Sequence, residues 1–173
     1  MPDFEIIAEG KLSGSATEID ITSIPATFTH LECVFALRAA TGAASGNGTI
    51  RLNGDSGSNY GHCGGYTSSG GSGGFATRTG GLTYFQAGVT LAQAGGPAGI
   101  FYVNRVIIPL YASTTTSTKT IMSMQTIGWN NADNFTEYCA GFWNSTSAVS
   151  SVTLGNLGAN YDTNSSWWVG GYA

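Results

Sequence analysis

Apolar and polar residues alternate one by one through several stretches of this chain, and no stretch carries the three-to-four-residue spacing of an amphipathic helix. The clearest is "THLECVFALRAA" (29–40), which puts Leu31, Cys33, Phe35 and Leu37 on one side and Glu32 and Arg38 on the other. "TEIDITSI" (17–24) sets Ile19 and Ile21 against Glu18 and Asp20, and Pro25 ends it. Before it, "FEIIAEG" (4–10) reads as a first strand. Later come "GIFYVNRVIIPLYAS" (99–113) and "TKTIMSMQTIGW" (118–129), which read as a hairpin, then "EYCAGFW" (137–143), "SSVTLGNL" (150–157) and "SSWWVGGY" (165–172). Pro109 inside the long β-rich run points to an edge position or a bulge. "GHCGGYTSSGGSGGFATRTGG" (61–81) is too rich in glycine for a strand core and reads as a long surface loop. Roughly eight to ten short strands at regular spacing make an all-β sandwich or barrel.

Composition sharpens this. Charged residues are only 9% of the 173, against roughly 25% in an average soluble protein. Exposed amphipathic helices need charged outer faces, whereas polar uncharged strands and glycine turns (26 Gly) suit this composition. The length fits one domain, 1–173, with a core of its own. Six basic residues stand singly at Lys11, Arg38, Arg51, Arg78, Arg105 and Lys119 within a net charge of −4, so no basic patch exists for nucleic acid. A surface with so little charge is expected to be covered by copies of itself or by a larger assembly.

"MPDFEIIAEG" has neither the basic nor the apolar segment of a signal peptide, and no run of about 18 apolar residues occurs to cross a membrane as a helix. Cys33, Cys63 and Cys139 match no zinc spacing and are expected to be reduced thiols.

Taken together, "SIPATFTHLECVFALRA", "RLNGDSGSNY", a Gly-rich segment, "VIIPLYASTTTSTKTIMS" and the closing "SVTLGNL…SSWWVGGY" resemble bacteriophage virion proteins of the decoration and fibre-tip type. In that family a strand ending in an Asn-Gly-Asp turn and a tyrosine precedes an Ile-Pro-x-Tyr hairpin and a Leu-Tyr-Gly ending. Here Trp167-Trp168-Val169-Gly170 stands at the close instead. The resemblance implies a jelly-roll antiparallel β-sandwich and a place in the virion, and it brings no catalytic residues.

The sequence offers three kinds of candidate site. "TIRLNGDSGSNY" (49–60) crowds oxygens from Asp55, Ser56, Ser58 and Asn59, and hard oxygen donors suit Ca²⁺. One carboxylate is few for calcium, so Asn53-Gly54 reads as a tight turn, Asp55 as the acceptor of the loop's own N–H groups, and Tyr60 as the closing residue. Asp55 and Asn59 stay the weak metal candidates. For catalysis, His30 opens a strand, His62 and Cys63 are neighbours that point apart, and Asp133 and Glu137 lie in what reads as a polar loop of solvated acids. The expectation is a protein without catalytic residues or cofactor. For glycans, Trp129, Trp143, Trp167 and Trp168 are candidate stacking platforms or subunit contacts. In an alternating strand, Trp167 and Trp168 face opposite sides.

The expected function is a phage structural protein, most simply a capsid decoration or cement protein on the virion surface. A fibre normally carries an attachment domain and a shaft, for which residues 1–20 leave no room. The alternative is a receptor-binding fibre tip that recognises host glycans. The expected partners are the major capsid protein and further copies around a three-fold axis, with neither nucleic acid nor membrane. Residues 1–9 are the candidate docking strand, with Phe4, Ile6 and Ile7 as buried contacts. The competing reading of that stretch is simply the first strand of the sandwich.

Overall fold

The computed structural model describes residues 3–40, 47–68, 71, 73–87, 99–127 and 135–173, and these form twelve strands and no helix. In chain order they are β1 (Phe4–Lys11), β2 (Glu18–Ile21), β3 (His30–Leu37), β4 (Asn47–Leu52), β5 (Tyr60–Ser68) and β6 (Gly73–Leu82). They continue as β7 (Phe85–Gln86), β8 (Tyr102–Pro109), β9 (Lys119–Ile127), β10 (Phe135–Trp143), β11 (Val152–Leu157) and β12 (Ser166–Tyr172). Two antiparallel sheets result. The larger has the order β1-β12-β3-β8-β9-β10-β5-β6, and the smaller β2-β11-β4-β7.

Setting aside the β5–β6 and β9–β10 pairs leaves β1-β12-β3-β8 facing β2-β11-β4-β7, and every chain connection then crosses from one sheet to the other except that from β4 to its neighbour β7. That alternation is the jelly roll. The two extra pairs join through β10 and β5 and extend the larger sheet to eight strands.

The alternation seen in the sequence decides which side of each strand goes inside. Leu31, Cys33, Phe35 and Leu37 of β3 are buried, as are Ile19 and Ile21 of β2. They meet Ile50, Leu52, Val152 and Leu154 of the small sheet and Val106, Ile108 and Val169 of the large one in a single core. Large tyrosines complete it where their hydroxyls find partners. Tyr161 donates to the Gly155 carbonyl at 2.7 Å, and Tyr111 donates to the Pro25 carbonyl.

Two expectations fail. Residues 61–68 and 73–81 are not a surface loop but most of β5 and β6, which pair with each other and, through β5, with β10. Glycines on β5 and on its partner β10 permit close approach: a Cβ at Gly64 would press on the Tyr138 carbonyl and Cys139, and one at Gly141 of β10 on Gly61 and His62. Pro109 marks neither an edge nor a bulge. It is the last residue of β8, an interior strand between β3 and β9, where its missing N–H costs the ladder least.

The strand assignment of 61–81 has a direct check. Backbone amides of Gly64 to Tyr66 should exchange with deuterium as slowly as those of Tyr138 to Ala140 on the paired strand, because both sit in the same ladder. Exchange as fast as that of an unstructured peptide would restore the loop.

Candidate interaction surface

The larger sheet has a second face, turned away from the core, and its composition is unusual. Nine large apolar side chains are exposed among the described residues, and seven of them lie on this face: Phe4, Ile6, Val103, Met122, Met124, Tyr138 and Phe142, each 37–55% accessible. Registers place them together. Phe4 pairs with Tyr172 and Ile6 with Gly170, Val103 lies opposite Thr126, Met124 opposite Tyr138, and Phe142 opposite Thr120. Exposed apolar patches larger than a few hundred Å² mark interaction surfaces.

On β9 and β10 the usual pattern is inverted. Met122 and Met124 face out while Ser123 and Gln125 are buried; Tyr138 faces out while Glu137 is buried. The inward polar groups bond one another. Ser123 Oγ donates to Asn104 Oδ1 (3.2 Å), Asn104 Nδ2 to Gln125 Oε1 (3.2 Å), and Gln125 Nε2 to Glu137 Oε2 (3.2 Å). Asn104 also donates to the Ala87 carbonyl beside the short strand β7. Glu137 is therefore not a solvated loop acid, as its polar surroundings in the sequence suggested, but a buried strand residue.

One ionic cluster interrupts the apolar face. Glu32 on β3 accepts Arg105 Nε (2.6 Å) and Nη2 (3.0 Å) in a two-pronged grip, and the Tyr172 hydroxyl donates to the same carboxylate at 2.6 Å. The Arg105 bonds, opposed by burial and assisted by Tyr172, hold the Glu32 carboxyl below its ordinary value. Forked Arg–carboxylate geometry is among the stronger polar contacts.

The oxygen-rich turn has become a fastening. Asn53 and Gly54 both take positive φ (54° and 65°), and the Asp55 amide closes the turn onto the Leu52 carbonyl at 3.0 Å. Asp55 Oδ2 accepts the Trp143 indole N–H (2.6 Å) and Asn59 Nδ2 (2.9 Å), and its Oδ1 accepts the Gly57 amide (2.8 Å). Trp143 first, then Asn59 and Gly57, keep its carboxyl low against the opposing effect of burial. Tyr60 is fully buried, stacks on Trp143 at 6.4 Å, and bonds both the amide and the carbonyl of Leu52. Burial pushes the Tyr60 hydroxyl up to about 12.

The remaining candidates scatter. Trp143 is core, and Trp167 is half-buried against the core over Gly10. Trp168 lies on the outer face, edge-on to Phe4 at 5.5 Å. Trp129 and Asp133 lie outside the described residues. His62 is buried with Nδ1 accepting the Gln86 amide (3.4 Å), while Cys63 is exposed on the opposite face. His30 opens β3, and its Nδ1 accepts the Leu110 amide at 3.4 Å. Of the proposed docking residues, Phe4 and Ile6 are exposed, whereas Ile7 sits at a bulge and packs on the core.

Sequence reading missed Lys119, a fully buried lysine whose Nζ donates to the Ser145 carbonyl at 3.2 Å and whose pKa burial lowers. Its place in the inward set of β9 with Ile121 was the available signal. An open depression of about 730 Å³ on the small sheet's outer side is lined by residues that include Glu18, Thr49, Arg51 and Asn160, with no aromatic ring among the described residues that line it. Comparison with known protein families, curated proteins and solved structures gives no match for this chain.

Two outcomes follow from the carboxylates. Asp55→Ala should cost about 1–3 kcal/mol by freeing the Trp143 N–H and the turn amide, whereas EDTA should leave the melting temperature unchanged; a calcium-restored drop would make the turn a metal site. Because the folded pKa values of Glu32 and Asp55 lie below their ordinary 4.5 and 3.8, their stabilisation is complete above those values. It disappears as pH falls through the lower folded ones. Arg105→Met should therefore lower the melting temperature at neutral pH and flatten its acid decline; an unchanged pH profile would show that the cluster contributes nothing.

Proposed function

We propose that this chain is a phage virion structural protein that decorates or cements the exterior of the capsid. The observation that carries the reading is the edge of a jelly-roll sheet: β1 ends the eight-stranded sheet, paired among the described residues on one side only, with Phe4 and Ile6 exposed. A neighbouring capsid protein can continue that sheet by strand addition, with backbone hydrogen bonds supplying affinity and alternate side chains supplying register. Glu5, Glu9 and Lys11 along the same strand discourage indiscriminate edge pairing. The resemblance to virion decoration and fibre-tip proteins and the sparsely charged surface support the same reading.

Cementing needs no chemistry. A protein bound across neighbouring capsomers adds contact area at their junction, and several copies acting together gain by effective concentration. The major capsid protein is the partner this assigns, and the capsid surface the location. The glycan-binding fibre tip receives less support, because the described tryptophans form no row: one is core, one packs on the core, and Trp168 leans on Phe4.

Cryo-electron microscopy of purified virions tests the proposal. Density for this jelly roll should lie on the head exterior at capsomer junctions, with β1 continuing a capsid sheet. Density confined to the tail would replace the cement role with host adhesion.

A further inference from the structure

We infer that the outer face of the eight-stranded sheet is where copies of this chain pack on one another. The inference stands on that face alone and does not rest on the virion reading.

Size is the first argument. Eight strands spaced about 4.8 Å apart and rising about 3.3 Å per residue give the face an area on the order of 900 Å², since the strands are seven to ten residues long. A stable protein–protein interface buries about 800 Å² on each partner. The face is thus large enough to hold a partner by itself.

Charge selects the partner. The ionisable carboxylates and cations that the registers place on this face, among the described side chains, are Glu32 with Arg105 at its middle and Glu9 with Lys11 on the edge strand. Two negative and two positive groups leave no net field to attract a charged partner, although the chain as a whole carries −4. A surface that is neutral in sum and carries seven of the nine exposed large apolar side chains among the described residues suits a second identical surface. Oligomers of identical chains use such self-complementary patches, and interface cores are depleted in charge while rich in aromatic residues and methionine. Tyr138, Phe142, Met122 and Met124 form such a group on β9 and β10.

The inverted pattern on those strands is the second argument. Burying Ser123, Gln125 and Glu137 while presenting two methionines, a tyrosine and a phenylalanine outward is unfavourable for an isolated chain. It becomes favourable when a further copy removes the outward side from water. Two flanking apolar regions, Phe4, Ile6 and Trp168 on β1 and β12 and the β9–β10 group beyond β8, lie either side of the Glu32–Arg105 pair. Identical face on identical face closes two copies as a dimer, and one region set against the other of the next copy closes the expected three-fold ring.

Light scattering on the purified full chain tests this. At tens of micromolar the mass should be two or three times 17.8 kDa. Met124→Lys combined with Tyr138→Lys should return it to a monomer with an unchanged circular dichroism spectrum, and the single change Met122→Lys serves if the double variant fails to fold. Leu157→Lys, exposed on the small sheet, should leave the mass unaltered. A wild-type monomer throughout the micromolar range, or an oligomer whose mass ignores these folded variants, overturns the inference. A monomer that still binds capsids would leave the cement role standing, and an oligomer absent from virions would remove that role alone.

Discussion

Successive side chains of a strand leave on opposite sides, so a sheet always has two faces to dispose of. In this jelly roll the small sheet and its loops cover one face of the large sheet with a continuous apolar core, from Ile19 and Ile21 across to Phe35 and Val106. The other face carries Phe4, Ile6, Val103, Met122, Met124, Tyr138 and Phe142 in partial exposure. Nearly everything else depends on that asymmetry between four strands and eight. The added β5–β6 and β9–β10 pairs widen the large sheet beyond its partner, and beside Tyr60, Ile121 and Trp143 their inner side buries Ser123, Gln125 and Glu137, which join Asn104 of β8 in a polar group.

Register is what holds the inversion in place. A one-residue slip of β9 against β8 and β10 would turn its methionines inward and its serine and glutamine outward. The unbroken pairing from Phe135 to Trp143 against Ile127 to Lys119 prevents it, and the hydrogen-bond chain through Asn104, Gln125 and Glu137 rewards the observed alignment. At the far end of the same strands, Trp143 donates to Asp55 and stacks on Tyr60, tying the large sheet to the turn that leaves the small one. Glu32, Arg105 and Tyr172 tie β3, β8 and β12 together across the exposed face. The fold therefore fixes which side chains that face presents, with the Glu32–Arg105–Tyr172 clamp on the face itself and the Trp143–Asp55 fastening behind it.

Much of the fold was legible in the sequence because it rests on period two. Leu31 to Leu37, Ile19 with Ile21, the Asn53-Gly54 turn and the opposed Trp167 and Trp168 all stand where alternation and turn chemistry put them. Residues 61–81 were misread because glycine content argues locally for a loop, whereas here glycines let β5 and β10 approach without side chains between them. Pro109 was misread because its cost depends on which residue of the strand it occupies. The interaction face was the least legible part. "TIMSMQT" alternates plainly, yet alternation alone does not say which set is inside, and the ordinary expectation buries the methionines. Only the alignment of β9 with β8, and of β8 with the distant strand β3 whose Phe35 and Cys33 lie opposite Asn104 and Val106, decides that Ser123 and Gln125 go in.

The account turns on that face being covered when the protein works. Dilute peroxide converts accessible methionine to its sulfoxide, and Met122 and Met124 are 44% and 55% exposed in the single chain. Mass spectrometry of their oxidation, in the concentrated protein and in the same protein diluted to the nanomolar range, reads the coverage directly. Self-packing predicts oxidation at least about tenfold slower at high concentration, with the difference lost on dilution. Equal rates at both concentrations, as fast as in an unfolded peptide, would mean that the face meets only water and would contradict the account.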